Sequence, residues 1–340
     1  MIYMSNLILK ALKKERPIWL MRQAGRYLKE YQVIRKKQKN FIDFCLNYKA
    51  ASKVTLQPIK RFDLDAAIIF SDILIIPYGL GQKVNFKHNE GPILGSYNLK
   101  EFKKNNKRKF LSKVKNVYKA IEYTRKKLNK KKSLIGFAGS PWTLLVYILN
   151  KKSPKKNFNL NKIIQNKKEV DSLLKIIEKF IYIHIEQQIK SGADTIQLFD
   201  SWAGLLNKKN LNKYCYQPNK RIVKKIKQKY PNIPIICFPK GLHKNIVQFC
   251  NIVKPDCLSI DSKADVNLIN KKISSKTIIQ GGLDPKFLLG NKKACEKKAL
   301  FYLRKFKHRP YIFNLGHGVD KNTKPTAVQH LVKVVRKFQS

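Results

Sequence analysis

Eight short apolar runs, each followed by a longer polar or periodic segment, constrain this chain more than any other feature. They are PIWLM at 17, AAIIF at 66, LIGFA at 134, DTIQLF at 194, IPIICF at 233, DCLSI at 256, KTIIQ at 276 and YIFNL at 311. Near-continuous hydrophobicity over so few residues is how a strand reads when a parallel sheet buries both of its faces. The intervening segments 113–128, 170–190, 220–229 and 246–253 carry helical periodicity, seen best in the stripe Leu173, Ile176, Ile177, Phe180 and Ile181. Eight strands alternating with helices predict an α/β protein of the (β/α)8 barrel type. No repeat or Pro/Gly/Ser-rich linker divides the 340 residues, so 1–340 reads as a single domain. The competing doubly wound sheet requires a Gly-rich phosphate turn after its first strand. The nearest candidate, Gly79-Leu-Gly-Gln-Lys-Val, lacks the third glycine.

The residues just past each run are as regular as the runs themselves. In order, the runs lead into RQAGR, SD, GSPW, DSW, PKG, DS, GGLDP and GHG. Barrel enzymes build their sites from loops at the C-terminal ends of the strands, which is where these residues fall. Arg22 and Arg26 flank Gly25 and use two of only 11 arginines in a chain whose other 61 basic residues are lysines. A guanidinium grips a planar carboxylate with two parallel bonds, whereas an ammonium acts as a point charge. The pair therefore reads as carboxylate-binding, with structural ion pairing as the plainer alternative. Asp72 closes the most apolar run, where a carboxylate must be paired, hydrogen-bonded or functional. His317 sits between two glycines that leave its ring open to a ligand. Tyr147, within SPWTLLVY, reads equally as a core aromatic or as a site hydroxyl.

The net charge is +51, which invites a nucleic-acid reading. Arginine, the better base-reading and stacking residue, is scarce, and Lys, Asn and Ile abound as an AT-rich genome would write tolerant positions. A positive surface also steers small anions. The six cysteines show neither a Cys-x-x-Cys pair nor zinc-site spacing, so a reduced, disulfide-free protein is expected. The longest apolar stretch, around 66–78, is broken by Asp72 and falls short of a membrane span. The first 15 residues lack the features of a secretory leader and read as a short amphipathic helix, which makes the cytoplasm the expected compartment. There is no P-loop, HExxH or Gly-x-Ser-x-Gly motif, so catalysis by side chains alone, without metal or cofactor, is expected.

The strings RPIWLMRQAGRYLKEY, LQPIKRFDLDAAIIFSDIL, GFAGSPWTLLVY, LFDSWAG and FNLGHGV, in this order, closely resemble the uroporphyrinogen decarboxylase family of the haem pathway. The likeness runs from about Arg16 to the end of the chain. It implies a cofactor-free barrel lyase, a homodimer, that converts the four acetates of uroporphyrinogen III to methyls, giving coproporphyrinogen III and four CO2. It also implies roles for individual residues. Arg22 and Arg26 match arginines that hold substrate carboxylates, with Gln23, Ala24 and Gly25 in the same loop. Asp72 matches an aspartate that accepts the pyrrole N–H groups. Tyr147, Ser201 and His317 match substrate contacts, Phe41 an apolar wall, and Arg35 an arginine at the site edge. Arg22, Tyr147 and water remain open as the proton donor. Two departures stand out: Ile148-Leu-Asn-Lys-Lys replaces an acidic residue and glycines, and Gly282 replaces an asparagine. The same barrel superfamily includes corrinoid-dependent methyltransferases, whose thiol-binding zinc site finds no counterpart in the cysteine spacing.

Overall fold

The computed structural model describes residues 6–87, 90–155 and 157–338. Its strands in chain order are β1 (Ala66–Ile68), β2 (Val84–Lys87), β3 (Gly91–Leu94), β4 (Ser133–Gly139), β5 (Thr195–Asp200), β6 (Ile235–Pro239), β7 (Cys257–Ile260), β8 (Ile278–Gly281) and β9 (Tyr311–Ile312). Seven of them form one curled sheet in the order β1-β4-β5-β6-β7-β8-β9, with every pairing parallel. The order runs with the chain without reversal, which rules out the doubly wound alternative. An antiparallel hairpin of β2 and β3 is inserted after β1.

The first apolar run joins this sheet by one parallel bridge, Ile18 to Phe313, rather than by a ladder. Phe313 N donates to Pro17 O at 2.8 Å, and on the other side Asp65 N donates to Ile18 O at 2.9 Å. The run thus lies between β9 and β1 and completes the ring of eight. Pro17 has no N–H for a longer ladder, and the chain already turns at Leu20–Gln23.

Inside the ring, Trp19, Met21, Ala66, Ile135, Ile236, Phe238, Cys257, Ile278 and Ile312 pack together. Along β6, Ile236 and Phe238 face this interior, while Ile235 and Cys237 face the surrounding helices, the period of two that a strand imposes. The expected N-terminal amphipathic helix is present at Asn6–Leu12, and the residues before it lie outside the described set. Its Leu7, Ile8 and Ala11 join the interior cluster and plug one end of the barrel. Asp65, 3% exposed, fastens that end: it pairs with Lys10 at 2.7 Å and Arg336 at 2.8 Å, and accepts Ile18 N at 2.8 Å. One carboxylate so ties the plug, the first run and the last helix, Pro325–Lys337.

The helices expected from periodicity appear as Lys107–Lys127, Lys167–Lys190, Gln217–Lys229 and Ile246–Val253. Gly79 belongs to the helix Ile75–Leu80, and a Cβ there would stand 2.4 Å from the Phe110 ring, so packing accounts for it. All six cysteines are buried and unpaired. Among the described residues no helix is long and apolar enough to cross a membrane.

Candidate active site

The loop after the first run is anchored by Gln23. Its Oε1 accepts Leu20 N at 3.0 Å, its Nε2 donates to Ala66 O at 3.0 Å, and its carbonyl accepts the Tyr27 hydroxyl at 2.8 Å. Gln23 is fully buried, so its side chain holds the loop to β1 rather than facing the site. With the loop pinned, Arg22 adopts φ +60°, the left-handed region that costs a non-glycine residue about 1–3 kcal/mol. Gly25 is tightly placed, since a Cβ there would lie 3.1 Å from Arg22 O and push on the loop. Among the described residues the exposed Arg22 guanidinium has neither a hydrogen bond nor an ion pair. Strain and an unpaired cation on one residue mark Arg22 as a position kept for something other than stability.

Asp72 lies just beyond β1, half-buried. Its Oδ1 accepts Leu74 N at 2.8 Å, and its other oxygen receives no hydrogen bond among the described residues. Burial raises its pKa from 3.8 to about 6, against the Leu74 N–H and the Arg22 charge, which lower it. It is therefore mainly ionised at neutral pH. Tyr147 projects from the helix Pro141–Asn150 that comes after β4; its hydroxyl lies 3.4 Å from Ser153 Oγ and its ring 6.0 Å from that of Trp202. Burial, helped by the Asp72 charge and opposed by that of Arg22, raises its pKa, so the hydroxyl stays protonated. His317 is moved the other way, down to about 4, by burial and then by Arg22 and Lys240, which makes it a neutral imidazole at physiological pH. Its neighbour Gly318 packs on Arg22: a Cβ on Gly318 would stand 2.3 Å from Arg22 Cδ.

Arg22, Asp72, Tyr147 and His317, 295 positions apart at the extremes of the sequence, are thus gathered at one mouth of the barrel. Ser201, partly exposed, comes directly after β5 beside Trp202. Arg26 is exposed on the Arg22 loop, with Ala24 and Gly25 partly buried between them. Arg35 donates to Gln38 O at 3.0 Å, and its charge reaches Tyr31. Phe41 packs on Phe70 and on Phe86 of β2, with centroids 5.7 and 4.5 Å away, so it joins the hairpin to the segment just past β1. No cluster of three or more His, Cys, Asp or Glu side chains with metal-binding geometry occurs among the described residues.

Two polar groups at the mouth escaped the reading by residue type. Asp200, 1% exposed, accepts Thr143 Oγ1 at 2.7 Å and Asn219 Nδ2 at 3.1 Å, and Thr143 Oγ1 in turn accepts Trp202 N. It braces the Ser201–Trp202 turn. Lys240, in the PKG string after β6, is half-buried. The signal for both was position directly at a strand end. The two departures also find their places. Lys151 stands at φ +61°, closing the Tyr147 helix with its N–H on Tyr147 O, where a glycine would carry no penalty. Gly282 stands at φ +107°, and a Cβ on it would lie 2.5 Å from the Tyr302 ring.

The family model for uroporphyrinogen decarboxylase (URO-D) matches residues 5–338. A uroporphyrinogen decarboxylase of Rickettsia bellii is 45% identical over 97% of both chains, and one of Rickettsia felis is 44% identical over 97% of this chain and 96% of its own. Among solved structures, a methyltransferase from Methanosarcina mazei superposes with a TM-score of 0.82 at 16% identity, covering 99% of this chain and all of the other. A B12-independent methionine synthase from Shewanella superposes at 0.53 with 10% identity, covering 86% of this chain and 88% of the other. Likeness at such identity speaks for the barrel fold alone.

Proposed function

The chain belongs to the uroporphyrinogen decarboxylase family and is an enzyme of that kind, and from this premise we propose that it converts all four acetates of uroporphyrinogen III to methyls, yielding coproporphyrinogen III and four CO2. Each round replaces a carboxylate by a proton: R–CH2–COO⁻ plus H⁺ gives R–CH3 plus CO2. The C–C bond breaks only if its electron pair has somewhere to go. A pyrrole protonated at a ring carbon is such a sink, so positive charge develops on the macrocycle before CO2 leaves. The resulting exocyclic methylene then takes a proton, and the ring gives one back.

The observation that carries this reading is Asp72, an ionised, half-buried carboxylate with one oxygen fixed by Leu74 N and the other without a protein partner among the described residues. It suits acceptance of the pyrrole N–H groups and stabilisation of the cationic ring. One well-aimed group, once the bound macrocycle has displaced water from the mouth, is worth about 3–4 kcal/mol of barrier. Arg22 and Arg26 hold carboxylates of the octa-anionic substrate, Arg35 serves the rim, and Phe41 with Phe86 covers an apolar face of the macrocycle. Orienting the substrate lowers the entropic part of the barrier. Tyr147, kept protonated, donates a hydrogen bond, as does Ser201, while His317 contacts substrate as a neutral ring. The Gln23 side chain contributes through the loop it holds. Protonation of the ring falls to Arg22, Tyr147 or a water they orient. No cofactor enters the scheme. The working unit is a homodimer in the cytoplasm, with no role for nucleic acid.

The test is anaerobic incubation of the purified protein with uroporphyrinogen III and no added metal or cofactor, followed by oxidation and chromatography. Seven- to four-carboxylate porphyrins in succession support the reading; unchanged substrate from folded protein refutes it. Light scattering checks the dimer, and a filter-binding salt titration checks the nucleic-acid statement.

A further inference from the structure

Lys240 is a cation placed where the protein itself gives it no partner among the described residues. The β5–β6 ladder continues to it, with Lys240 N donating to Asp200 O at 3.1 Å and Gly204 N donating to Lys240 O at 3.0 Å, so its backbone is held from two sides. Ile236 and Phe238 face the barrel interior, and Lys240 opens the turn directly beyond Pro239, its N–H also reaching back to Phe238 O at 3.1 Å, so it stands half-buried at the C-terminal end of the strand. Its charge acts on His317, and that of Arg22 acts on it, across the mouth. Its ammonium makes no hydrogen bond or ion pair among the described residues. The opposite charge that reaches it, Asp261, is engaged elsewhere, accepting Gly241 N at 2.7 Å and Lys263 N at 2.8 Å.

Half-burying an ammonium without a counter-ion is costly unless a ligand supplies one. Burial accordingly lowers the pKa of Lys240. Given the decarboxylase reading, on which this step rests, we infer that Lys240 is a substrate-binding residue that pairs with a carboxylate surviving the reaction, a propionate of the macrocycle. The choice among carboxylates comes from the chemistry. A cation held on the reacting acetate would stabilise the charge that must disappear as CO2 forms, and so raise the barrier. On a propionate it binds substrate, intermediates and product alike, which is uniform binding.

The test uses the full chain with Lys240→Met, which keeps the length of the side chain, Lys240→Gln as a polar second variant, and Lys240→Arg as the charge-conserving control. Circular dichroism and thermal melts verify folding. In the anaerobic assay Met and Gln are expected to raise KM about tenfold or more with kcat within about threefold, and Arg to restore most of the loss. Equilibrium binding of coproporphyrinogen III, which keeps all four propionates, is expected to weaken by the same factor. Unchanged KM and product affinity in both neutral variants overturns the inference. So does a fall in kcat with KM intact, or a loss that Arg fails to rescue. If the wild type turns over no uroporphyrinogen III, the reaction assignment fails by itself; comparative binding of that octacarboxylate to wild type and Lys240→Met then still decides whether Lys240 holds a carboxylate.

Discussion

Replacing Asp72 by Asn should move stability and activity in opposite directions. The exchange keeps the side-chain shape and an oxygen for Leu74 N, and removes only the charge. In the folded protein the carboxyl titrates at about 6 against 3.8 unperturbed, because burial opposes ionisation. A raised native pKa means that between these values the folded chain binds more protons than the unfolded one, so stability falls as pH rises through that window. The difference of about two in pKa corresponds to about 3 kcal/mol as an upper bound, and to about 1–2 kcal/mol once solvent at the open mouth screens it. Asp72→Asn removes this penalty. For 340 residues the unfolding entropy is about 0.7 kcal/mol per degree, so Tm should rise by about 2 °C at pH 7.5, with most of the gain lost by pH 4. The kcat should meanwhile fall by about 10² to 10³. Calorimetry at the two pH values and the anaerobic decarboxylation assay read both arms. A variant that loses stability, or that keeps near-normal turnover, would refute the reasoning.

Three other substitutions probe the site and the barrel that carries it. Gly318→Ala puts a methyl 2.3 Å from Arg22 Cδ, against an ordinary carbon contact of about 3.5 Å or more; Arg22 must swing aside by about 1 Å, and kcat/KM should drop about 100-fold with Tm nearly unchanged. Lys151→Gly relieves a left-handed residue at the end of the Tyr147 helix and should raise Tm by about 1–2 °C, measured by thermal melt, without loss of turnover. Asp65→Ala strands Lys10, Arg336 and Ile18 N at the plugged end of the barrel and should cost about 3–5 kcal/mol in denaturant unfolding.

The alternation of runs and periodic segments made the barrel legible, because burial on both faces writes a parallel strand as an unbroken apolar string. The strength of pairing was not legible: PIWLM reads like its seven fellows, yet Pro17 and the immediate turn at Gln23 leave it one bridge. Nor was the hairpin of β2 and β3, whose short mixed sequence carries no strong period. At the site, Arg22 stood out as an arginine among lysines, and Asp72 as a charge ending an apolar run. Gln23 shows the limit of a motif, since a residue within RQAGR is shared between backbone anchors and turned from the mouth. Asp200 and Lys240 were overlooked because an aspartate and a lysine are ordinary types. They are distinguished by burial and by the lack or supply of partners, which only the assembled barrel reveals.

The measurement that bears most directly on the whole account is the stoichiometry of CO2 released per macrocycle, taken anaerobically from uroporphyrinogen III with the wild-type protein alone. Four CO2, with the carboxylate count of the tetrapyrrole falling from eight to four as they appear, is the predicted result. Folded protein that releases none, or that stops with the tetrapyrrole still above four carboxylates, would contradict it.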